Sequence, residues 1–274
     1  MTPLLESVHL HKSYATHGTV VHAVNDVSFA LERGGSIGLV GESGSGKSTI
    51  ARMLVGLESP DSGMIRVQGK ELAPHVKGSA ARIARAGAAQ IVFQDPYLSL
   101  DPRVTVSDAV DAVLQLHTDL DASGRTARTA ELLAQVGLGQ REGQARPRQL
   151  SGGQRQRVAI ARAMAVDPSV LVLDEAVSAL DVSVQAQVLN LLLDIRSNTG
   201  VGLVFVSHDL AVVRYVCDTA LVLHRGRVVE QGTTAKILAD PQHPYTRLLI
   251  SSIPRPGWNL AEISALRAEI NSAS

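Results

Sequence analysis

Apolar and polar residues recur along this chain with two different periods, and the period changes from one stretch to the next. From His22 to Leu31 apolar residues alternate roughly with polar ones, the mark of a strand with one buried face. A turn at Arg33-Gly34-Gly35 leads into a short apolar strand from Ser36 to Val40. Ile50, Met53, Leu54 and Leu57 then recur on one helical face, so the segment reads strand, loop, helix. Pro60-Asp61-Ser62-Gly63 makes the next turn, before a strand from Met64 to Val67.

After Ile91-Val92-Phe93-Gln94 the period becomes helical, with Val106, Val110, Val113 and Leu114 followed by Leu132, Leu133 and Val136 and no strand between. This predicts a helical insertion over about 95–165, with Gly137 ending its second helix. A third helical pattern begins near Gln154. Strands return as Val170-Leu171-Val172-Leu173 and Gly202-Leu203-Val204-Phe205-Val206, continuous apolar runs suited to a parallel sheet buried on both faces. Ala220 to Leu223 and Val228 to Glu230 form a late hairpin turning at Arg225-Gly226. Leu260, Ile263, Leu266 and Ile270 mark one face of a short amphipathic tail helix over 258–274, which packs either on its own domain or on a partner.

The 274 residues suit one α/β domain with an insertion and a tail. The 26 basic and 26 acidic residues cancel, so no long-range positive field gathers nucleic acid, and no nucleic-acid partner is expected. Cys217 is the single cysteine, which excludes an internal disulfide framework and predicts a buried thiol in a reducing compartment. The start, Met1 to Glu6, lacks the basic and apolar regions of a signal peptide, and no apolar run reaches the ~20 residues that span a bilayer. Any membrane association is expected to be borrowed from a partner.

Candidate chemistry sits at the ends of the strands. Gly41-Glu42-Ser43-Gly44-Ser45-Gly46-Lys47-Ser48 fits the phosphate loop G-x-x-x-x-G-K-[ST], in which backbone N–H groups wrap a triphosphate, the lysine neutralises it and the serine reaches Mg²⁺. Thr49 follows in the same helical turn. Leu150-Ser151-Gly152-Gly153-Gln154 sets small residues and a hydroxyl before a helix, a second N-terminus suited to phosphate. Asp174-Glu175 ends a buried strand where ligands of open α/β sheets collect, placing Asp174 to hold Mg²⁺ and Glu175 to polarise water. A lone acidic pair of this kind just as often ends a strand in solvent, and His208, taken alone, is more often a structural histidine. Gln94 precedes the rigid turn Asp95-Pro96, so three strands converge on one edge with Glu175, Gln94 and His208.

These residues together resemble the ATP-binding subunits of ABC transporters. Gly41 to Ser48 matches Walker A, Val170 to Glu175 Walker B, Leu150 to Gln154 the signature, Ser178-Ala179-Leu180-Asp181 the D-loop, Gln94 the Q-loop and His208 the switch histidine. The resemblance implies an α/β P-loop ATPase core with an antiparallel β subdomain, an inserted helical subdomain and a short C-terminal extension. It further implies two such subunits, the same or paralogous, facing head to tail with ATP between one phosphate loop and the other's Ser151-Gly152-Gly153-Gln154. Lys47 would meet the phosphates, Ser48 and Gln94 the Mg²⁺, Glu175 the attacking water and His208 the γ-phosphate. Asp181 would cross the interface, and Tyr14 falls where the family stacks an aromatic on adenine.

Two stretches resemble the oligopeptide, dipeptide and nickel importer branch: Gln94 to Arg103, and Pro241-Gln242-His243-Pro244-Tyr245-Thr246-Arg247-Leu248-Leu249. This gives an ATP-binding domain over 5–238 and an importer-type extension over 239–257. It implies two membrane permeases, an extracytoplasmic solute-binding protein and a place on the cytoplasmic face of the membrane. Some members of the branch hold an iron–sulfur cluster through tail cysteines, but this tail has none, so no cluster is expected. Ala176 stands where many relatives have proline. The rival readings are an ABC ATPase of a soluble assembly such as the carbon–phosphorus lyase system, and a kinase or GTPase, which leaves Leu150 to Gln154 without a role.

Overall fold

A computed structural model describes residues 2–16, 19–72, 79–95 and 99–252. The tail helix expected over 258–274, with Trp258, and Tyr97 within the Gln94–Arg103 stretch lie outside them. Two sheets form. The first is antiparallel, with β1 (Leu5–Thr16) between β2 (Thr19–Leu31) and β4 (Ser62–Val67), and β5 (Lys70–Glu71) at the edge beyond β4.

The second sheet runs β10-β9-β3-β8-β7-β6, from β3 (Ser36–Val40), β6 (Ala89–Phe93), β7 (Val170–Asp174), β8 (Gly202–Ser207), β9 (Thr219–His224) and β10 (Arg227–Thr233). Only the β9–β10 hairpin is antiparallel; the other neighbours pair in parallel. Every residue of β3, β7 and β8 is buried, as their unbroken apolar runs require of strands covered on both faces.

One face packs Ile50, Met53 and Leu54 of α1 (Lys47–Leu54) together with Val172, Val204 and the inner residues of β1, β2 and β4. Leu57 does not extend that helical face: it lies beyond α1 and is 62% exposed. The chain leaves the helix at Gly56, φ 74°, where the Gly56 and Leu57 amides cap the carbonyls of Met53 and Arg52 and turn Leu57 outward.

After α2 (Ser79–Ala88), the insertion between β6 and β7 comprises α3 (Val106–His117), α4 (Ala122–Gln135), α5 (Gln140–Gln144), a 3-10 turn (Pro147–Gln149) and α6 (Gly152–Met164). Gly137 ends α4 as expected, the Gly137 and Leu138 amides closing on Ala134 and Leu133. The third pattern begins at Gly152 rather than Gln154, because Ser151 caps the helix.

The opposite face of the sheet is covered by α6, α7 (Val182–Thr199) and α8 (Leu210–Val216), with Val158, Ile160, Val188, Leu192 and Val213 all unexposed. Cys217 ends α8 inside this layer, and burial pushes its thiol well above the ordinary range. Finally, α9 (Thr234–Ala239) and α10 (Pro244–Ser251) return the chain to the sheet.

Candidate functional site

Strand register builds the site. Phe93 pairs with Asp174, Asp174 with Val206, and Val40 with Ser207, so β6, β7, β8 and β3 end at one level. The residues that follow those ends are Gln94, Glu175, His208 and Gly41. Parallel strands in matched register must release their next residues along one edge, so four candidates far apart in sequence become neighbours.

The phosphate loop turns from β3 into α1. Gly41 and Gly46 have φ of 153° and 102°, and a Cβ on either would fall 2.2 Å from a carbonyl oxygen, of Leu223 and Ala23 respectively. Only glycine allows the backbone to pass so close. The Gly226 amide donates to the Ser45 carbonyl at 3.1 Å, so the β9–β10 hairpin clamps the loop from beneath. The sequence signals this hairpin only as a local turn, because the clamp joins residues far apart along the chain.

Gly46 caps α1 without a side-chain hydrogen bond, so the helix presents its first amides, those of Lys47, Ser48 and Thr49, without a side-chain acceptor. Ser43 and Gly44 form the exposed crest, while Ser45 is buried. Lys47, 5% exposed, folds back to donate to the carbonyls of Gly41 and Glu42, each at 2.8 Å. Burial lowers its pKa, an effect opposed by Glu175, Asp174 and Glu42 nearby.

Asp174 is buried, and its Oδ1 accepts from the Ser48 hydroxyl at 2.9 Å. Burial raises its pKa, against the Ser48 hydrogen bond. A hydroxyl and a carboxylate side by side are hard oxygen donors of the kind Mg²⁺ takes, one or two from protein and the rest from water and phosphate, so these residues fit the ion.

Glu175 adopts φ 51°, unusual for a residue with a side chain, and costs on the order of 1–3 kcal/mol. The conformation is held by its amide on the Val206 carbonyl at 3.0 Å and by the Ser178 amide and hydroxyl on its own carbonyl. The turn aims its carboxylate along the strand-end edge, where Oε1 stands 3.7 Å from Nδ1 of the exposed His208. Gln94 is exposed at the neighbouring strand end.

Tyr14 lies on β1, 37% exposed, with Lys12 Nζ 5.4 Å from its ring centre. It pairs with Val21, just before Ala23, whose carbonyl abuts Gly46. The antiparallel sheet thereby places Tyr14 on the strand next to the one that abuts the phosphate loop.

The signature is built differently. Ser151 accepts from the Gln154 amide at 3.3 Å while Gln154 Oε1 accepts from the Ser151 amide at 2.9 Å, a reciprocal cap. Arg155 ties the approach by donating to Pro147 and Leu150 carbonyls. Gly152 is exposed, but Gly153 is buried, and a Cβ there would fall 2.2 Å from Cγ1 of Val184. Its lack of a side chain therefore serves the packing of α6 on α7. Asp181 caps α7, accepting from Val184 N–H at 3.0 Å and Ser183 Oγ at 2.8 Å; these bonds hold its pKa below the ordinary range. Among the described residues, no hydrogen bond joins Ser151–Gln154 or Asp181 to the phosphate loop.

A nucleotide loop on one edge and a separate signature helix define an ATP-binding cassette, and comparison agrees. Residues 24–178 match the ABC transporter family, and residues 229–273 match the C-terminal region of oligopeptide/dipeptide transporters. The dipeptide transport ATP-binding protein DppF of Haemophilus influenzae is 43% identical over 265 residues, 94% of this chain and 80% of that protein. A putative peptide import ATP-binding protein of Brucella abortus is 48% identical over 236 residues, 86% of this chain and 70% of that protein.

Among solved structures, a dimeric ATP-binding cassette in a post-hydrolysis state with ADP and Pi superposes with TM-score 0.75 at 28% identity, covering 84% of this chain and 98% of that one. A Clostridium perfringens component of the cbiONQ ABC transporter complex reaches TM-score 0.78 at 27% identity, over 93% and 97%. The chain belongs to the ABC transporter family, as one of its ATPase subunits. Within that family its relatives are the ATP-binding proteins of peptide importers, and it carries their C-terminal region.

Proposed function

We propose that this chain hydrolyses ATP at a head-to-tail dimer interface to power uptake of peptides or a related solute. Lys47 and the loop residues Gly41, Ser43, Gly44, Ser45, Gly46, Ser48 and Thr49 bind the phosphates, with the amides of Lys47, Ser48 and Thr49 presented by the start of α1. Tyr14 stacks on the adenine, and Ser48, Asp174 and Gln94 attend Mg²⁺, which would supply charge neutralisation at the β- and γ-phosphates. Glu175 orients the attacking water and accepts its proton, and His208, beside Glu175, meets the γ-phosphate. Ser151, Gly152, Gly153 and Gln154 act on the nucleotide of the facing subunit, with Asp181 at the interface.

The observation that carries this reading is the shared level of the strand ends, which sets Gln94, Glu175 and His208 beside the phosphate loop. That no hydrogen bond among the described residues joins the signature to that loop supports completion by a second subunit. Residues 5–238 form the ATP-binding domain and 239–257 the importer-type extension. Two permeases hold the dimer at the cytoplasmic face of the membrane, and an extracytoplasmic binding protein delivers solute; support comes from the names of the relatives and the match of the C-terminal region.

Glu175→Gln tests the chemistry. ATP binding is expected to persist while steady-state hydrolysis falls by ~10²-fold or more; a variant that turns over at the normal rate rules Glu175 out as the base. Purification from native membranes tests the assembly, with permeases expected alongside and soluble lyase-type partners counting against import.

A further inference from the structure

The His243-Pro244-Tyr245 motif marks the chain's relatives, yet nothing in the ATPase reading uses it. Each of its residues has a physical task here. The carboxylate of Glu230 on β10 accepts from the Gln242 and His243 amides at 2.9 and 3.0 Å, pinning the turn before α10. His243 Nδ1 accepts from the Tyr245 amide at 3.1 Å and so caps the helix. Pro244 occupies the first helical position, where its fixed φ suits the helix and no N–H is missed.

Tyr245 then points inward. It is 1% exposed, its ring lies 4.0 Å from that of His224 at the end of β9, and its hydroxyl accepts from the Glu42 amide at 2.9 Å, across 203 positions of sequence. Glu42 is the second residue of the phosphate loop. The peptide joining Gly41 to Glu42 is therefore held at both ends, by Lys47 on the Gly41 carbonyl and by Tyr245 on the Glu42 N–H.

The two ties differ in what a nucleotide does to them. The three donors of the Lys47 ammonium are shared among the Gly41 and Glu42 carbonyls and, at 3.4 Å, Ser45 Oγ, so a phosphate competes for them, whereas the buried Tyr245 phenol has no charge for a phosphate to attract. We propose that Tyr245 is a positioning residue for the phosphate loop: it holds the Gly41–Glu42 peptide in its binding geometry when Lys47 is drawn to the nucleotide, coupling the C-terminal extension to ATP affinity. This rests on the ATPase reading above.

Tyr245→Phe removes the hydroxyl and keeps the ring against His224. One neutral hydrogen bond predicts a KM for ATP and a Kd for ADP raised about threefold to tenfold, with kcat within twofold. The rise in melting temperature on saturation with ADP should shrink correspondingly. A variant that loses thermal stability but keeps KM and Kd shows Tyr245 to be packing only and overturns the proposal.

Amide hydrogen exchange in the unaltered full chain gives a second reading, independent of whether the variant folds. The Glu42 amide should be protected without nucleotide and stay protected with ADP; exchange at the rate of a free loop in either state overturns the proposal. Failure of the unaltered chain to bind ATP would instead sink the ATPase reading, while the Glu42 exchange without nucleotide still decides whether the tether holds.

Discussion

The phosphate loop and the signature are both helix N-termini preceded by small residues, but they meet their amides in opposite ways. The first has Gly46 as a cap without a side chain, leaving its amides for a ligand, and relies for its shape on Leu223, Ala23, Gly226 and Tyr245 from distant strands and helices. The second closes its own cap through Ser151 and Gln154 and takes its shape from its own helix and from α7. On the proposed reading, a loop that holds a triphosphate is preorganised by its surroundings, whereas a signature that joins a ligand carried by another subunit has to be stable before that subunit arrives.

The comparison can be broken first at Lys47. Lys47→Ala should weaken binding of a fluorescent ATP analogue by roughly 10- to 100-fold, the range expected for charge-assisted hydrogen bonds; unchanged affinity would mean that the loop does not hold the phosphates through this side chain. Next comes Gly153→Ala, whose methyl meets Val184 and should cost about 1–3 kcal/mol of stability, seen as a lower urea midpoint. Val184→Ala in the same chain should restore most of that loss. Absence of rescue would show that Gly153 is glycine for a reason other than the approach of α6 to α7. The smallest effect is expected for Ser151→Ala, where loss of the cap should cost about 1 kcal/mol and leave ADP binding to a single subunit unchanged. Weakened ADP binding there would erase the distinction between the two ends.

Much of this was legible in the chain because local rules govern it. Unbroken apolar runs in Val170–Leu173 and Gly202–Val206 suit doubly covered strands, and the glycines of the loop motif permit the backbone conformation that its distant neighbours then hold. The helix Val182–Thr199 was not legible in the same way: it opens on Val182, Val184 and Val188, β-branched residues, and Val182 is 83% exposed, so no clean stripe announces it. Leu57 fitted the helical face by spacing, but Gly56 had already turned the chain.

By itself the sequence determined the site-bearing strands β3, β6, β7 and β8, most of the helices that carry chemistry, the phosphate loop and the family, since each rests on residues close together or on a motif of fixed spacing; β1, which carries Tyr14, emerged only in the structure. Only the tertiary structure decided which residues share an edge. Register across four strands brought Gln94, Glu175, His208 and Gly41 to one level. The same packing turned Gly153 toward Val184 and carried the Tyr245 hydroxyl to Glu42. Such contacts join residues far apart along the chain, and no local pattern encodes a distance that exists only once the sheet has closed.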